Sequence, residues 1–359
     1  YVQTVCGGMP PSGRGQSSRR SPENGATDVK DGSVLAAANY PSFDQNLYAT
    51  NYSEYSADPS LPLFNRALQG LYTPGSTFKP AVAVAALDSG LINRYSTVFC
   101  NGVYNYYSDY HPKCTRHGHS GNIDVITAIK WSCNIFFYDV GRRLTSEVYD
   151  AYAYKLGMGV RTGVEVSEAL GHLTSKTDSN YIESLDVQAA IGQGNTVVSP
   201  VQLATYAATI ANRGHYYTPH LIREIQDSTI SAEYTTPKHT MVDAHYYDYV
   251  VEGMRMAVTG GTCRIGAIPG VEVCGKTGTA QNPHGKDHSA FMGFAPMNNP
   301  RIAIAVYVEN AGFGATYGVP IGSLMMEMYL NREIAPERKY LEERMLQSNT
   351  IIYSGVKKH

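Results

Sequence analysis

The sequence predicts an α+β fold in which strands from the two ends of the chain share one sheet and helices fill the middle. The final third contains three short apolar runs separated by turn residues, which is typical of antiparallel strands. The middle of the chain repeats apolar residues at spacings of three and four, which is typical of helices. A strand-like run near the N-terminus must also bury its apolar side, so it is expected to join the same sheet.

Each element has its own signal in the sequence. The pair Asp31-Gly32 is typical of a hairpin turn and precedes a strand predicted over 33–38. Ser76 follows Pro74-Gly75 and opens an apolar helix. The other predicted helices cover 123–144, 146–156, 199–212 and 321–331. The predicted C-terminal strands cover 271–280, 289–295 and 301–309.

Composition and charge exclude several classes of protein. The 359 residues include 29 basic and 31 acidic side chains, a net charge of −2, and 17% are charged. A nucleic-acid-binding protein would carry a basic excess, and a disordered chain would be more polar and more highly charged. No segment reaches the roughly 18 apolar residues of a membrane-spanning helix. The composition therefore favours a globular enzyme or binding protein.

The two ends of the chain differ from the rest. Residues 1–25 are rich in Gly, Ser, Pro and Arg without periodicity, which predicts a disordered or atypical N-terminal segment. The main domain is predicted over 26–335, with a helical subdomain over about 80–215, and a C-terminal helix and tail over 336–359. Because the chain starts at Tyr1, we expect it to be a piece of a longer protein.

The first candidate motif is Ser76 and Lys79, three residues apart at a predicted helix start. This spacing puts both side chains on one helix face. A serine hydroxyl needs a base to become a nucleophile, and a lysine can act as that base when burial or nearby cations lower its pKa. The pattern alone is weak, because Ser354 and Lys357 in the tail match it too.

The second and third motifs follow in order along the chain. Ser132 and Asn134 lie at the break of an apolar helix, where polar side chains are costly unless they are bonded or used. Lys276, Thr277 and Gly278 form a Lys-Thr-Gly motif on a predicted strand, where the glycine would allow a ligand close to the backbone. The order and element type of all three motifs predict a serine-nucleophile active site.

These motifs and the text around them resemble the transpeptidase domain of penicillin-binding proteins. The resemblance covers roughly 26–331 and is closest to the class B group of cell elongation or division, within the serine acyltransferase superfamily that includes β-lactamases. The supporting segments are YPSFD (40–44), FNRALQGLYTPGSTFKP (64–80), AIGQGNTVVSPVQLATYAATIANRG (190–214) and SAFMGFAP (289–296).

The resemblance implies a fold and a function. The fold would be an antiparallel five-stranded sheet flanked by helices, with a large all-helical subdomain inserted between the N- and C-terminal strands. It would also have an apolar strand just before Asp28, where this chain instead has GQSSRRSPENGAT, so the first strand is in doubt. The implied function is a peptidoglycan D,D-transpeptidase, which cross-links stem peptides through a serine acyl-enzyme and is acylated by β-lactams.

The resemblance also implies residue roles. Ser76 would be the nucleophile, Lys79 its base, and Ser132 a proton relay between Lys79 and Lys276. Asn134 would hold the substrate amide, and Lys276 would supply positive potential. Thr277 and Thr279 would bind the substrate carboxylate, and Gly278 would let the substrate approach the strand backbone. Backbone N–H groups of Ser76 and Thr279 would form the oxyanion hole.

Partners and location follow from the same resemblance. The expected partners are peptidoglycan stem peptides, β-lactam antibiotics and a membrane glycosyltransferase of the elongation or division machinery, with no nucleic acid. The expected location is the extracytoplasmic face of the bacterial cell membrane, with the anchor missing from this chain. Neither a cofactor nor a metal is expected.

Three alternatives remain open at this stage. A serine β-lactamase would need a group that activates water; the string Glu327–Asn331 matches one such signature but follows the third motif, so we interpret it as chance. A non-catalytic β-lactam or muropeptide sensor would share the motifs. A zinc site could involve His117, His119, His111 and Cys114, although a solvated polar loop is the favoured interpretation.

Cys100 and Cys114 could form a disulfide or remain free thiols.

Overall fold

The computed structural model describes residues 2–6, 29, 31–115, 118–283 and 285–348, with the backbone alone for residues 2–6. Helices and strands both occur throughout this part of the chain, so the predicted mixed class is confirmed. The described strands are β1 (Val2–Cys6), β2 (Ala36–Tyr40), β3 (Val98–Cys100), β4 (Gly121–Ile123), β5 (His215–Tyr216), β6 (Lys238–His239), β7 (Cys274–Ala280), β8 (His288–Ala295) and β9 (Ile302–Val308).

The helices lie mainly between the second strand and the C-terminal strands. They are α1 (Tyr48–Ala57), α2 (Arg66–Gln69), α3 (Lys79–Asp88), α4 (Val125–Trp131), α5 (Asn134–Leu144), α6 (Ser146–Lys155), α7 (Ser184–Ala189), α8 (Pro200–Ala211), α9 (Ala232–Thr235), α10 (Ala244–Gly260), α11 (Gly318–Asn331) and α12 (Lys339–Gln347). The sequence predicted most of the longer helices but missed α1 and α10. Helix α12 lies within the predicted C-terminal helix and tail, and residues 349–359 lie outside the described residues.

Five strands form one antiparallel sheet in the order β2-β1-β9-β8-β7. Strand β7 pairs with β8 from Cys274 opposite Phe294 to Ala280 opposite His288. Within the described part of the chain, no strand pairs with the other side of β7, so β7 forms an edge of the sheet. An edge strand presents backbone N–H and C=O groups that another extended chain can pair with.

The prediction of an irregular N-terminal segment is wrong for Val2–Cys6, which form strand β1 between β2 and β9. Val2 pairs with Tyr40 on one side and Val308 on the other, and Cys6 pairs with Ala36 and Ile304. The run VQTVC contains β-branched residues that favour a strand, but the Gly- and Ser-rich residues after it dominated the composition of 1–25. Residues 7–25 lie outside the described residues.

The predicted Asp31-Gly32 hairpin is also wrong. The Asp31 carboxylate accepts a hydrogen bond from the Ser33 N–H at 3.0 Å, which forms a local side-chain turn. The backbone then bonds to His220, whose N–H donates to Gly32 O at 3.2 Å and whose carbonyl accepts from the Val34 N–H at 2.7 Å. The segment therefore docks on a distant loop, and β2 begins only at Ala36.

The sheet is covered by helices on both sides. Alternate residues of a strand face opposite sides of the sheet. On β9, Ala305 belongs to the core cluster that includes Tyr206 of α8, whereas Ile304 belongs to the cluster that includes Met326 of α11. These four side chains are at most 1% exposed. Burial of this kind stabilises the fold by about 1.5–3 kcal/mol for each large apolar side chain.

Helix α3 lies in the middle of the molecule. Every residue from Lys79 to Leu87 is buried, and the helix packs against α5, α6 and α10. A helix that is apolar all round is a core helix. Its first residue, Lys79, is polar, so its amine is buried among apolar side chains.

Candidate active site

Ser76 lies in a short 3-10 turn, Gly75–Phe78, that leads directly into α3. Gly75 has a φ of +55°, a conformation that residues with a side chain rarely adopt. Ser76 is half-buried, while its neighbours Thr77 and Phe78 are buried. No described residue hydrogen-bonds the Ser76 hydroxyl, which lines an open cleft of about 530 Å³. The hydroxyl is therefore free to react with a bound molecule.

Lys79 is fully buried and its Nζ donates three hydrogen bonds. The acceptors are Asn134 Oδ1 at 2.6 Å, Ser132 O at 2.8 Å and Ser132 Oγ at 3.2 Å. Burial lowers the pKa of Lys79 to about 8. An amine with that pKa has a sizeable neutral fraction near neutral pH, so it can take up a proton.

Ser132 ends helix α4 in the left-handed conformation, with φ 56° and ψ 42°. A non-glycine residue held in this region is strained by about 1–3 kcal/mol, and such strain is concentrated at functional sites. The break turns the hydroxyl toward two lysines, because Lys276 Nζ donates to Ser132 Oγ at 2.8 Å while Lys79 Nζ lies 3.2 Å from it. The structure thus brings together three of the predicted residues.

Lys276 lies on strand β7 and is fully buried. Its Nζ also donates to Thr277 O at 3.0 Å. Burial, reinforced by the positive charge of Lys79, holds the pKa of Lys276 well below its usual range. Two buried amines that share one hydroxyl cannot both carry a proton cheaply. The pair is therefore suited to passing a proton through Ser132.

Thr277 and Thr279 line the same cleft as Ser76, but Gly278 does not. A Cβ on Gly278 would lie 2.7 Å from Pro74 O and 2.9 Å from Thr77 Cγ2. The expectation that Gly278 admits a ligand is therefore corrected. Its missing side chain makes room for the turn that carries Ser76, so that the turn can pack directly on strand β7.

Gln193 belongs to the site, although the sequence did not assign it. Its Nε2 donates to Thr279 O at 3.1 Å, and it lines the cleft. The preceding Gly192 accepts a hydrogen bond from the Gly75 N–H at 2.9 Å. The segment Ile191–Gly194 thus connects the Ser76 turn to strand β7, and its Gly-Gln-Gly sequence was the available signal.

The cleft extends past the Thr277 side of β7. A second cavity of about 640 Å³ shares Thr277, Thr279, Thr115 and Phe313 with the first. Together the two cavities form a groove that follows edge strand β7. An extended peptide fits such a groove because its backbone can pair with the strand edge.

The interpretation of the candidate zinc site as a solvated polar loop is wrong for two of its residues. Cys114 and His119 are buried, and they form a cluster with Cys100 and Cys133 whose donor atoms all lie within 4.8 Å of one another. His111 is exposed outside this cluster, and His117 lies outside the described residues. Cys100 and Cys114 carry free thiols and not a disulfide. These four residues are the ones in the described chain that could hold a metal ion.

The water-activating signature of a β-lactamase has a structural explanation here. Glu327 is completely buried on α11, where Arg338 Nε donates to its carboxylate at 2.7 Å. Its other oxygen accepts from the Ala335 N–H at 3.0 Å. Glu327 therefore anchors the C-terminal segment and does not line the cleft.

Within the described residues, no helix combines the length and the apolar composition that crossing a membrane requires.

One known protein family matches most of the chain. The model of the penicillin binding protein transpeptidase domain matches residues 25–327. The chain therefore belongs to the penicillin-binding protein transpeptidase family, and the predicted resemblance is confirmed.

Individual relatives support this assignment. The peptidoglycan D,D-transpeptidase MrdA of Haemophilus influenzae is 30% identical over 358 residues, covering 87% of this chain and 53% of the relative. The chain thus spans about half the length of the curated relatives it matches. Pseudomonas aeruginosa PBP2 in complex with WCK 5153 aligns with a TM-score of 0.78 and 32% identity, covering 94% of this chain and 76% of that chain. The ceftriaxone acyl-enzyme complex of Mycobacterium tuberculosis penicillin-binding protein A aligns with a TM-score of 0.74 and 28% identity, covering 85% and 73%.

Proposed function

We propose that this chain is the catalytic domain of a class B peptidoglycan D,D-transpeptidase. It would cross-link stem peptides through an acyl-enzyme on Ser76, and β-lactams would acylate the same serine. One observation carries the proposal: Ser132 Oγ lies within hydrogen-bonding distance of both Lys79 and Lys276, in the cleft that Ser76 lines. The acyl-enzyme complex of the mycobacterial relative supports the chemistry.

In the first step, the Ser76 hydroxyl attacks the carbonyl between the two terminal D-Ala residues. Lys79 accepts the hydroxyl proton, which its lowered pKa allows. The oxyanion then lies between the backbone N–H groups of Ser76 and Thr279. Thr279 lies beside the Ser76 turn, since a Cβ on Gly75 would come within 2.7 Å of Thr279 O. Such donors contribute about 2.7–4 kcal/mol each in other enzymes.

In the second step, the leaving D-Ala amine takes a proton. Ser132 relays it, because its hydroxyl touches both lysines and lines the cleft. An amine from a second stem peptide then attacks the acyl-enzyme, with the same groups working in reverse. This returns Ser76 to its free form and joins two glycan strands.

Substrate recognition would use both walls of the cleft. Thr277 and Thr279 would bind the terminal carboxylate, drawn by the positive potential of Lys276. Asn134 would hold the substrate amide; its Nδ2 donates to Lys113 O at 3.1 Å, which fixes its orientation. The peptide backbone would add to the free edge of β7.

The finer architecture supports this arrangement. We infer one main domain over 26–335, to whose sheet strand β1 (Val2–Cys6) adds. The sheet and its flanking helices form one unit, and a helical subdomain over about 80–215 forms the other. Ser76, Ser132 and Asn134 come from the helical side, and Lys276, Thr277 and Thr279 come from β7. The cleft lies where these two sets of residues meet.

The partners would be peptidoglycan stem peptides, β-lactam antibiotics and a membrane glycosyltransferase of the elongation or division machinery. The balanced charge argues against a nucleic acid as partner. The domain would work at the extracytoplasmic face of the bacterial cell membrane, where its substrate is assembled.

Kinetics with a chromogenic cephalosporin and with a transfer substrate test the proposed function. We expect one burst of hydrolysis per enzyme molecule followed by very slow turnover, because Glu327, the carboxylate of the water-activating signature, is buried outside the cleft. We also expect the acyl group of a donor thioester to be transferred to the amine of D-Ala, with release of the thiol. Rapid multiple turnover of the cephalosporin would identify a β-lactamase, and acylation without transfer would identify a sensor.

The acylation rate should rise with pH. The neutral form of Lys79 is the base, and its pKa of about 8 means that this form increases as the pH rises through that value. We expect the rate to increase about tenfold per pH unit well below 8 and to level off above it. Stopped-flow acylation between pH 6 and 9.5, with circular dichroism to confirm the fold at each pH, measures this. A flat or falling profile would contradict the assigned base.

Gly278→Ala should slow acylation although it adds one methyl group outside the cleft. The new Cβ would overlap Pro74 O and push the Ser76 turn away from β7. A shift of about 1 Å at a reacting group can cost on the order of 10²-fold in rate. The matched control is Gly260→Ala, because a Cβ there meets no atom within 4 Å. Equal acylation rates for the two variants would show that the close packing is unimportant.

A further inference from the structure

The second cavity of the groove lies beyond the place where the donor peptide would end. Gln281 lines only the first cavity, as Ser76 does, whereas Thr277 and Thr279 line both. A donor that runs along β7 from Gln281 and ends in a carboxylate at Thr277 therefore fills the first cavity. The second cavity, of about 640 Å³, stays free and has room for part of another peptide.

The second cavity carries positive charge. Arg264 and Arg344 line it, and within the described part of the chain no Asp or Glu does so. Both arginines are exposed, and neither forms an ion pair with a described residue. Arg344 Nη2 donates to Thr316 O at 2.9 Å, which keeps this side chain beside the cavity. Since Asp287 lines the first cavity, the second is the end of the groove that favours an anion.

Two distant segments of the chain bring the arginines together. Arg264 begins a short 3-10 turn, Arg264–Gly266, and Arg344 lies on α12. The residue after each arginine, Ile265 and Met345, packs against the same apolar cluster. The C-terminal helix therefore contributes one of the two cations that line the groove.

A buried arginine connects the same two segments. Arg338 lies just before α12, and its Nη1 donates to the carbonyls of Ile265 and Ala267. Its Nε donates to the buried carboxylate of Glu327 at 2.7 Å. A buried, paired guanidinium cannot shift without leaving its partners unpaired. The backbone that carries both exposed arginines is therefore held in place beside the groove.

The walls of the second cavity contact the residues that would bind the donor carboxylate. Thr277 Oγ1 lies 3.1 Å from Thr262 Oγ1, and Thr262 lines the second cavity. On the opposite wall, the Gly314 N–H donates to Thr279 Oγ1 at 3.4 Å. A Cβ on Gly314 would lie 2.5 Å from Gly278 O, so this wall packs directly on β7. A ligand in the second cavity thus lies next to the end of the donor.

The proposed reaction requires the acceptor amine to approach from this end. Transfer reverses acylation, so the attacking amine takes the position of the departed D-Ala amine. The amine nitrogen bonds to the acyl carbon, the bond from that carbon to Ser76 Oγ breaks, and one amine proton returns to Ser76 Oγ through Ser132 and Lys79. The acyl group still fills the first cavity, so the rest of the acceptor extends into the second.

We propose that the second cavity is the acceptor subsite, in which Arg264 and Arg344 bind a free carboxylate of the acceptor stem peptide. Stem peptides end in D-Ala, so the acceptor carries such a carboxylate. A guanidinium presents paired N–H donors that match the two oxygens of a carboxylate. The inference rests on the proposed function, because it assigns a site to the second substrate of that reaction.

Transfer kinetics with two acceptor peptides and a thioester donor test the subsite. Both peptides carry a side-chain amine, supplied by diaminopimelate in one series and by lysine in another. Within each series, one peptide ends in a D-Ala carboxylate and the other in a D-Ala amide. We expect the wild-type KM to be about tenfold lower for the carboxylate peptide.

Substitutions should change this preference through KM and not through kcat. The double variant Arg264→Gln/Arg344→Gln should bind both peptides equally. Arg264→Lys keeps the charge and should retain part of the preference, whereas Arg264→Glu should repel the carboxylate and favour the amide. Arg94→Gln is the matched control, because Arg94 is an exposed arginine that pairs with Glu252 at 3.4 Å and does not line the groove. It should keep the wild-type preference.

Penicillin labelling and transfer to D-Ala separate this inference from the proposed function. If wild type labels and transfers to D-Ala, then equal KM values for the two peptides, or transfer to neither, would overturn the subsite. A double variant that keeps the wild-type preference would also overturn it. Absence of labelling, or labelling without transfer to D-Ala, would reject the proposed function and the subsite with it.

Discussion

Ser76→Ala is expected to abolish covalent labelling by a fluorescent penicillin. The substitution removes the atom that would form the bond to the antibiotic in the proposed mechanism, and it leaves Lys79, Ser132 and Lys276 in place. Because no described residue hydrogen-bonds the Ser76 hydroxyl, the free energy of unfolding should change by less than about 1 kcal/mol. In-gel fluorescence together with thermal unfolding measures both effects.

Ser354→Ala is the matched control, since Ser354 and Lys357 repeat the Ser-x-x-Lys spacing in the C-terminal tail. This variant should label like wild type. Equal labelling of wild type and Ser76→Ala would end the proposed function, because another residue would then be the nucleophile.

Lys276→Ala is expected to lower the acylation rate on the order of 10²-fold or more, the usual range for losing one acid–base group. Lys276 Nζ donates to Ser132 Oγ at 2.8 Å, so its loss frees the hydroxyl that connects the two lysines. Without this bond the hydroxyl is no longer held between the two lysines, so fewer molecules have an oriented relay.

The stability of this variant must be measured beside its activity. Lys276 is fully buried, so truncation to alanine leaves a cavity. Lys276→Met fills more of that volume without the amine, and it should be equally slow in acylation. Lys176→Ala is the control, because Lys176 forms an exposed ion pair with Glu147 at 2.9 Å and should matter little. A Lys276→Met variant that acylates at the wild-type rate would contradict the relay.

The sequence predicted much of the fold where apolar periodicity was clear. Strands β7, β8 and β9 and helices α6, α8 and α11 lie where the turn residues and spacings indicated. The missed helix α10 had the same kind of signal. Its buried residues Tyr247, Val250, Val251 and Met254 follow spacings of three and four, and Asp243 caps its start through the His245 N–H.

Strand β1 could not be predicted with the same ease. Five residues form it, and the strand gains its stability from β2 and β9, which come from distant parts of the chain. Short segments of this kind show their structure only through tertiary pairing, which overrides local composition.

The grouping of Lys79, Ser132 and Lys276 could be predicted because each motif lies on one short segment. The buried cluster of Cys100, Cys114, His119 and Cys133 could be predicted only for Cys114 and His119. Its members span residues 100–133 without a C-x-x-C pair, and the pairing of β3 with β4 is what brings Cys100 near His119. Gln193 was similarly hidden, since its role depends on the distant carbonyl of Thr279.

The most direct test of the acyl-enzyme is to locate the adduct on the protein. Wild-type chain is incubated with an excess of penicillin, digested, and analysed by peptide mass spectrometry. We expect one intact antibiotic per chain, attached to the peptide that contains Ser76 and bonded at that serine. An adduct on any other residue, or an unmodified Ser76 peptide in fully labelled protein, would contradict the proposed mechanism.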